Sequence, residues 1–241
     1  MKKIFVLLII VSCFILSACG GPPAPTAKEE AIKLHDIYVK QADSIHDAME
    51  DDMEKFWKAN GHDWTTDVAL GKLIKGKYVS QIDTLTKKFE SEKVVNESVE
   101  KLISKKLKAE QNKIHIFSSM ADYEGISKEQ YNEKSKEFVS SMIQVLNAGL
   151  EFDNEYSILV NNKSTYELTL ANFKKIHKDD NYFSVANIFK MPGKLENSME
   201  SNNKLIGPRL LEVYTWENDG GFVKIMFENG KAYQLEQRHL K

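Results

Sequence analysis

The sequence predicts an α+β protein: an N-terminal antiparallel helical bundle followed by a small domain of two helices and an antiparallel sheet. Three observations predict it. Between Ala27 and Leu159 apolar residues recur at spacings of three and four in four successive blocks, the period of a helix with one buried face. After Asn161 the apolar spacing shortens. Two glycine-bearing turns, Asp219-Gly220-Gly221 and Asn229-Gly230, then divide runs rich in β-branched and aromatic residues, the signature of hairpins.

The chain begins with Lys2 and Lys3, an almost unbroken apolar run from Ile4 to Leu16, and the small residues Ser17-Ala18. That order is the layout of a secretory signal with its cleavage point. Cys19 directly after the small pair resembles the lipobox of bacterial lipoproteins. The resemblance implies diacylglycerol on the Cys19 sulfur and removal of residues 1–18, which makes Cys19 the lipidation site. An ordinary secretory signal or a transmembrane anchor are the other readings. A single span is disfavoured because the run is short and is followed by Gly20-Gly21 and a proline-rich stretch. Two or three acyl chains would hold the chain persistently at a membrane surface outside the cytoplasm. Gly20 stands where the resemblance puts the aspartate that retains enteric lipoproteins at the inner membrane, so in a two-membrane cell the outer membrane is the expected location.

Residues 19–26, the acylated cysteine and a Gly- and Pro-rich spacer, should stay extended. The bundle is expected over residues 27–162. Leu34, Tyr38, Ala42, Ile45, Met49, Met53 and Phe56 make the first stripe, and Asn60-Gly61 ends it. Asp63 is a helix N-cap for a second stripe of Leu70, Ile74, Tyr78, Ile82, Leu85 and Phe89, in which Gly71 and Gly76 weaken the helical propensity. Asn96 or Ser98 opens a third helix with Val99, Ile103, Leu107, Ile114 and Phe117. Ser127 with Gln130 is a capping box. The fourth helix that follows carries Tyr131, Phe138, Met142, Val145, Gly149, Phe152, Tyr156 and Leu159. Short polar loops between such helices fit an antiparallel bundle.

Asn161 to Thr165 reads as a linker, and residues 168–241 as the α+β domain. Leu168–His177 and Tyr182–Lys190 suggest short helices, and Met191-Pro192-Gly193 a turn. Strands are expected over Leu210–Trp216, Phe222–Phe227 and Lys231–Gln237.

Composition excludes several classes. Loss of residues 1–18 removes two lysines and no acid, taking the formal charge from −2 to −4. A mildly acidic, well-mixed chain lacks the electrostatic footprint of a nucleic-acid binder. Cys13 and Cys19 are the only cysteines, so after processing and acylation no disulfide could stabilise the fold.

The segment from about Thr169 to Leu240 resembles the small lipoprotein domain of the SmpA/OmlA outer-membrane assembly family and the β-lactamase-inhibitor-protein-like family. Phe173, Ile176, Tyr182 and Val185 match their apolar helix positions, and Pro192-Gly193 the closing turn. Tyr214, Trp216, Gly220-Gly221, Phe227, Asn229-Gly230-Lys231, Gln237 and Leu240 match the sheet. Asp179-Asp180 stands where these families have Gly-Met, and Lys190 where they have a glycine. The resemblance covers about a third of the chain and implies two short helices on an antiparallel sheet. It also implies a protein partner: insertion machinery in one family, an enzyme in the other. The binding residues of those families do not map onto this sequence.

No phosphate loop, nucleophile elbow or metalloprotease motif is present, and no catalytic residue, metal site or cofactor is expected. His46 and Glu50, one helical turn apart beside Asp47, Asp51 and Asp52, read as a solvated acidic face rather than ligands, since a metal needs donors from more than one element. His62-Asp63 falls in a loop. Trp57, Trp64 and Trp216 are weighed as packing residues. Trp216 is also a candidate partner contact, because sheet aromatics in such domains can face a partner. The expected function is a non-enzymatic, lipid-anchored envelope protein acting by protein–protein interaction, in envelope assembly or enzyme inhibition. The alternative is a lipoprotein binding a small molecule or peptide between bundle and sheet.

Overall fold

A computed structural model describes residues 24–61, 63–203 and 207–241. Cys19, the leader and His62 lie outside the described residues. Thr26 closes a capping box with Glu29 and starts α1 (Ala27–Leu34). This helix continues through a π-helical turn (His35–Val39) into α2 (Lys40–Asn60), which stops at Gly61 with φ 80°. Asp63 caps α3 (Trp64–Lys77), accepting from Thr66 N at 2.8 Å.

The single second helix expected from Asp63 to Phe89 is two. The chain breaks at Tyr78 before α4 (Val79–Glu90). Gly76 just ahead of the break lowers helical propensity. The Tyr78 hydroxyl donates to Asp52 Oδ2 (2.6 Å) or Ala48 O (2.8 Å), which fixes the joint against α2. Gly71 has a packing reason. A Cβ there would come 2.1 Å from the Ala121 backbone nitrogen, so only glycine lets α3 lie on the 3-10 turn Ser119–Tyr123.

Asn96 caps α5 (Glu97–Ser118), and the Ser127–Gln130 capping box starts α6 (Lys128–Asn161). Asn162 closes α6 in the left-handed region at φ 54°. Leu34, Tyr38, Met49, Leu70, Ile74, Ile82, Ile103 and Leu107 are all buried in one bundle core, as their spacing predicts.

Beyond the linker, α7 (Leu170–Phe173) and α8 (Tyr182–Phe189) are short helices capped by Thr169 and Asn181. The sheet has four strands in the order β1-β2-β3-β4: β1 (Lys194–Asn203), β2 (Gly207–Asn218), β3 (Gly221–Glu228) and β4 (Lys231–Arg238). All neighbours are antiparallel. The last three strands are the expected ones, with β2 extended at its start. β1 was not expected, because Lys194–Asn203 lacks the β-branched and aromatic residues that mark strands. It is an edge strand, exposed from Lys194 to Glu200 and bulged between Leu195 and Asn197, and such edges carry little apolar pattern. Asn229 (φ 51°) and Gly230 (φ 76°) form the two-residue hairpin turn with positive φ at both positions.

The second core gathers Tyr182, Val185, Phe189, Tyr214, Trp216, Val223, Ile225 and Phe227. Leu150, Ile143 and Leu146 of α6 join it, while Phe138, Phe152 and Tyr156 of the same helix belong to the bundle. One helix therefore carries two apolar stripes and serves both cores. No described helix is long and apolar enough to cross a membrane.

Candidate functional site

The second stripe of α6 is Val139, Ile143, Leu146 and Leu150, spaced four, three and four residues apart. Such spacing holds them on one side of the helix. Leu150 is buried against the small domain and Ile143 and Leu146 are partly so, but Val139 remains 48% exposed. The sheet face opposite follows the same gradient. Along β2 the alternate residues Trp216, Tyr214, Glu212 and Leu210 share one face, passing from buried to half-buried. Their β1 partners Leu195, Ser198 and Glu200 are exposed.

Where packing ends, helix and sheet diverge into an open groove of about 700 Å³. The floor is apolar, with Val139, Ile143, Leu195 and Leu210, and polar side chains such as Ser198 and Asn147 lie along it. At its mouth Lys136 reaches Glu200 at 3.3 Å and Glu133 at 3.2 Å. These are exposed pairs that add little stability. At its inner end the Tyr182 hydroxyl donates to Asn147 Oδ1 (2.7 Å) and accepts from Gly193 N (2.9 Å), pinning α8 and the turn before β1 to α6. Past Ser135 and Val139 the groove meets a second hollow of about 220 Å³, walled by Phe117, Met120 and Phe138.

Glu212 is the group in this groove that folding does not satisfy. Its carboxylate is half-buried, and its one hydrogen bond is a long one from the Tyr214 hydroxyl (3.4 Å). Among the described residues no lysine, arginine or histidine lies within ion-pair distance. Burial raises its pKa above the usual carboxylate range, and the Tyr214 hydrogen bond offsets this in part. Burial also pushes the Tyr214 hydroxyl upward, with the Glu212 charge adding to it, so the phenol stays a donor.

Trp216 is 1% exposed. Its indole N–H donates to Met191 O (3.0 Å), and its ring stacks on Tyr182 at 5.9 Å. A Cβ on Gly193 would meet this ring at 2.5 Å, which is why the Pro192-Gly193 turn needs glycine. The indole is packed within the second core.

Glu50, Asp47 and Asp51 are exposed, as a solvated face has them, while His46 is partly buried and paired. His46 Nε2 meets Glu50 Oε1 at 2.7 Å and His46 Nδ1 meets the buried Glu110 at 3.2 Å. Lys113 contacts both His46 and Glu50. Lys106 pairs with Glu110 (2.7 Å) and Asp43 (3.2 Å). Burial works against the Lys106 charge, but Glu110 and Asp43 outweigh it and leave its pKa raised. Acid and base alternate across α2 and α5, so each charge finds a partner, the condition for burying ions at all. Among the described residues no three His, Cys, Asp or Glu side chains converge as metal ligands. His35 stacks on Tyr156 at 4.5 Å, and His115 pairs with Asp83 at 2.8 Å.

The groove residues escape a reading by single stripes. The 139-143-146-150 spacing on α6 was present in the sequence beside a better-populated stripe. Glu212, an acid on the Leu210–Trp216 alternation, was the second available signal. The molecule is thus a two-core α+β protein with an open groove between its longest helix and its sheet. Comparison with protein-family models, curated proteins and solved structures finds no match to this chain.

Proposed function

We propose that this chain is a non-enzymatic, lipid-tethered protein of the cell envelope that holds a partner polypeptide in the groove between α6 and the sheet. The groove carries the reading. It joins half-exposed apolar side chains from two elements to a few polar groups, the composition of a recognition surface. The tether rests on the lipobox resemblance at Cys19 and on the spacer before Thr26.

The resemblance to small envelope lipoprotein domains adds support from an unexpected side. Its two departures, Asp179 and Lys190, stand where those families have glycine. Both adopt positive φ here, 77° and 49°, the conformation that glycine takes without strain.

Three variants in native envelopes test the proposal together. Cys19→Ala should lose both fatty-acid label and membrane sedimentation. Val139→Arg should keep both and lose the proteins that co-purify with the parent. Ile158→Arg, at a comparably exposed site farther along α6, should keep everything. Label on the Cys19 variant defeats the tether, and unchanged co-purification by Val139→Arg defeats the groove.

A further inference from the structure

The groove keeps an anion that folding leaves without a counterion. A half-buried carboxylate in an apolar setting is costly unless a cation or several hydrogen bonds reach it. Among the described residues Glu212 has only the distant Tyr214 hydroxyl. The groove's own cation, Lys136, is engaged by Glu200 and Glu133. The contrast with the bundle is direct, since Glu110 and Lys106 are more deeply placed yet paired with each other. Groups left unsatisfied at the cost of stability cluster at functional sites.

Resting on the groove reading above, we infer that the groove recognises a segment of a partner protein bearing a lysine or arginine between apolar residues, with the cation on Glu212. Val139, Ile143, Leu195 and Leu210 take the apolar side chains. The Tyr214 hydroxyl, kept protonated, holds one Glu212 oxygen and leaves the other for the incoming N–H donors. With Lys136 against Glu200 and Glu212, the groove carries one net negative charge, which disfavours an acidic segment. An extended segment suits the site, because alternate side chains of one strand meet a floor and a rim in turn.

The probes are three labelled heptapeptides in which leucine alternates with lysine, glutamine or glutamate. Each carries a photoreactive group and is titrated against the full chain in neutral detergent. The lysine peptide should bind at least about tenfold tighter than the other two, the scale of one charge-assisted contact. Its crosslinks should fall on α6 and β1–β2 groove residues. Glu212→Gln should bring the three peptides to within about threefold of one another.

Stability gives a second, ligand-free measurement. The folded-state pKa of Glu212 is raised, so the wild type loses stability as pH climbs from the unfolded carboxylate value through the folded one. Glu212→Gln should therefore melt higher than the wild type at pH 8 and match it at pH 3. Equal affinities with crosslinks still in the groove would overturn the cation and leave the groove reading standing. Crosslinks elsewhere, or no binding by any peptide, would overturn both. A Glu212→Gln melting temperature at or below that of wild type at pH 8 would overturn the unpaired anion.

Discussion

Asp179, in the connection between α7 and α8, and Lys190, at the C-terminus of α8, hold left-handed backbone at φ 77° and 49°. A side chain in that region crowds its own carbonyl, and glycine does not. Asp179 N donates to Ala232 O (3.0 Å), and Ala232 N donates back to Asp180 O (2.7 Å), so the strained turn is clamped to β4. Asp179→Gly should consequently stabilise the chain by about 1 kcal/mol. A chemical-denaturation midpoint shift at unchanged m-value checks this, and a fall in stability would mean that the Asp179 side chain does more than tolerate the turn. Caps were the residue-scale features most legible in the sequence. Asp63 and Ser127 cap as read, and of the Asn96 and Ser98 alternatives Asn96 is the cap, since an N-cap is a local bond between a side chain and an amide two or three residues ahead. The positive φ of Asp179 and Lys190 was not legible, because aspartate takes it only occasionally and lysine seldom.

At the scale of elements, α6 decides how the two halves relate. Helices read from one stripe predict a bundle that is complete by itself. The stripe of Ile143, Leu146 and Leu150 means that the bundle also supplies one wall of the second core. A fragment of residues 27–162 should still unfold as one cooperative helical transition, because the core around Met49, Leu70, Ile103 and Leu107 lies within it. It should also self-associate through the uncovered stripe, and polar substitutions at Leu146 and Leu150 should abolish that association. Sedimentation and circular dichroism decide it. A fragment without a cooperative transition would show that the bundle needs the sheet. Strands were legible where alternation and turn residues coincided, as in β2–β4. β1 was not legible, since its order comes from pairing with β2 and its residues from Lys194 to Glu200 are exposed. The break at Tyr78 was equally hidden, because the apolar stripe runs through it in phase.

For the whole molecule, the start of the described fold and the groove lie far apart along the bundle. His35, about two turns past the start of α1, stacks on Tyr156 near the C-terminal end of α6. Val139 lies seventeen residues earlier on that helix, about 25 Å at 1.5 Å per residue. The α+β class could be read from the periodicity and the turn motifs. The groove could not, because it is made by two elements distant in sequence, and neither segment is unusual alone.

The account stands or falls on whether a partner occupies that groove. A photoreactive benzophenone side chain at Val139, activated in intact envelopes, measures this most directly. The same group at Ile158 serves as the exposure-matched control. The account predicts a discrete covalent adduct from Val139, lost when Glu212→Gln is added, and none from Ile158. Equal adducts from both positions, or none from Val139, would contradict it.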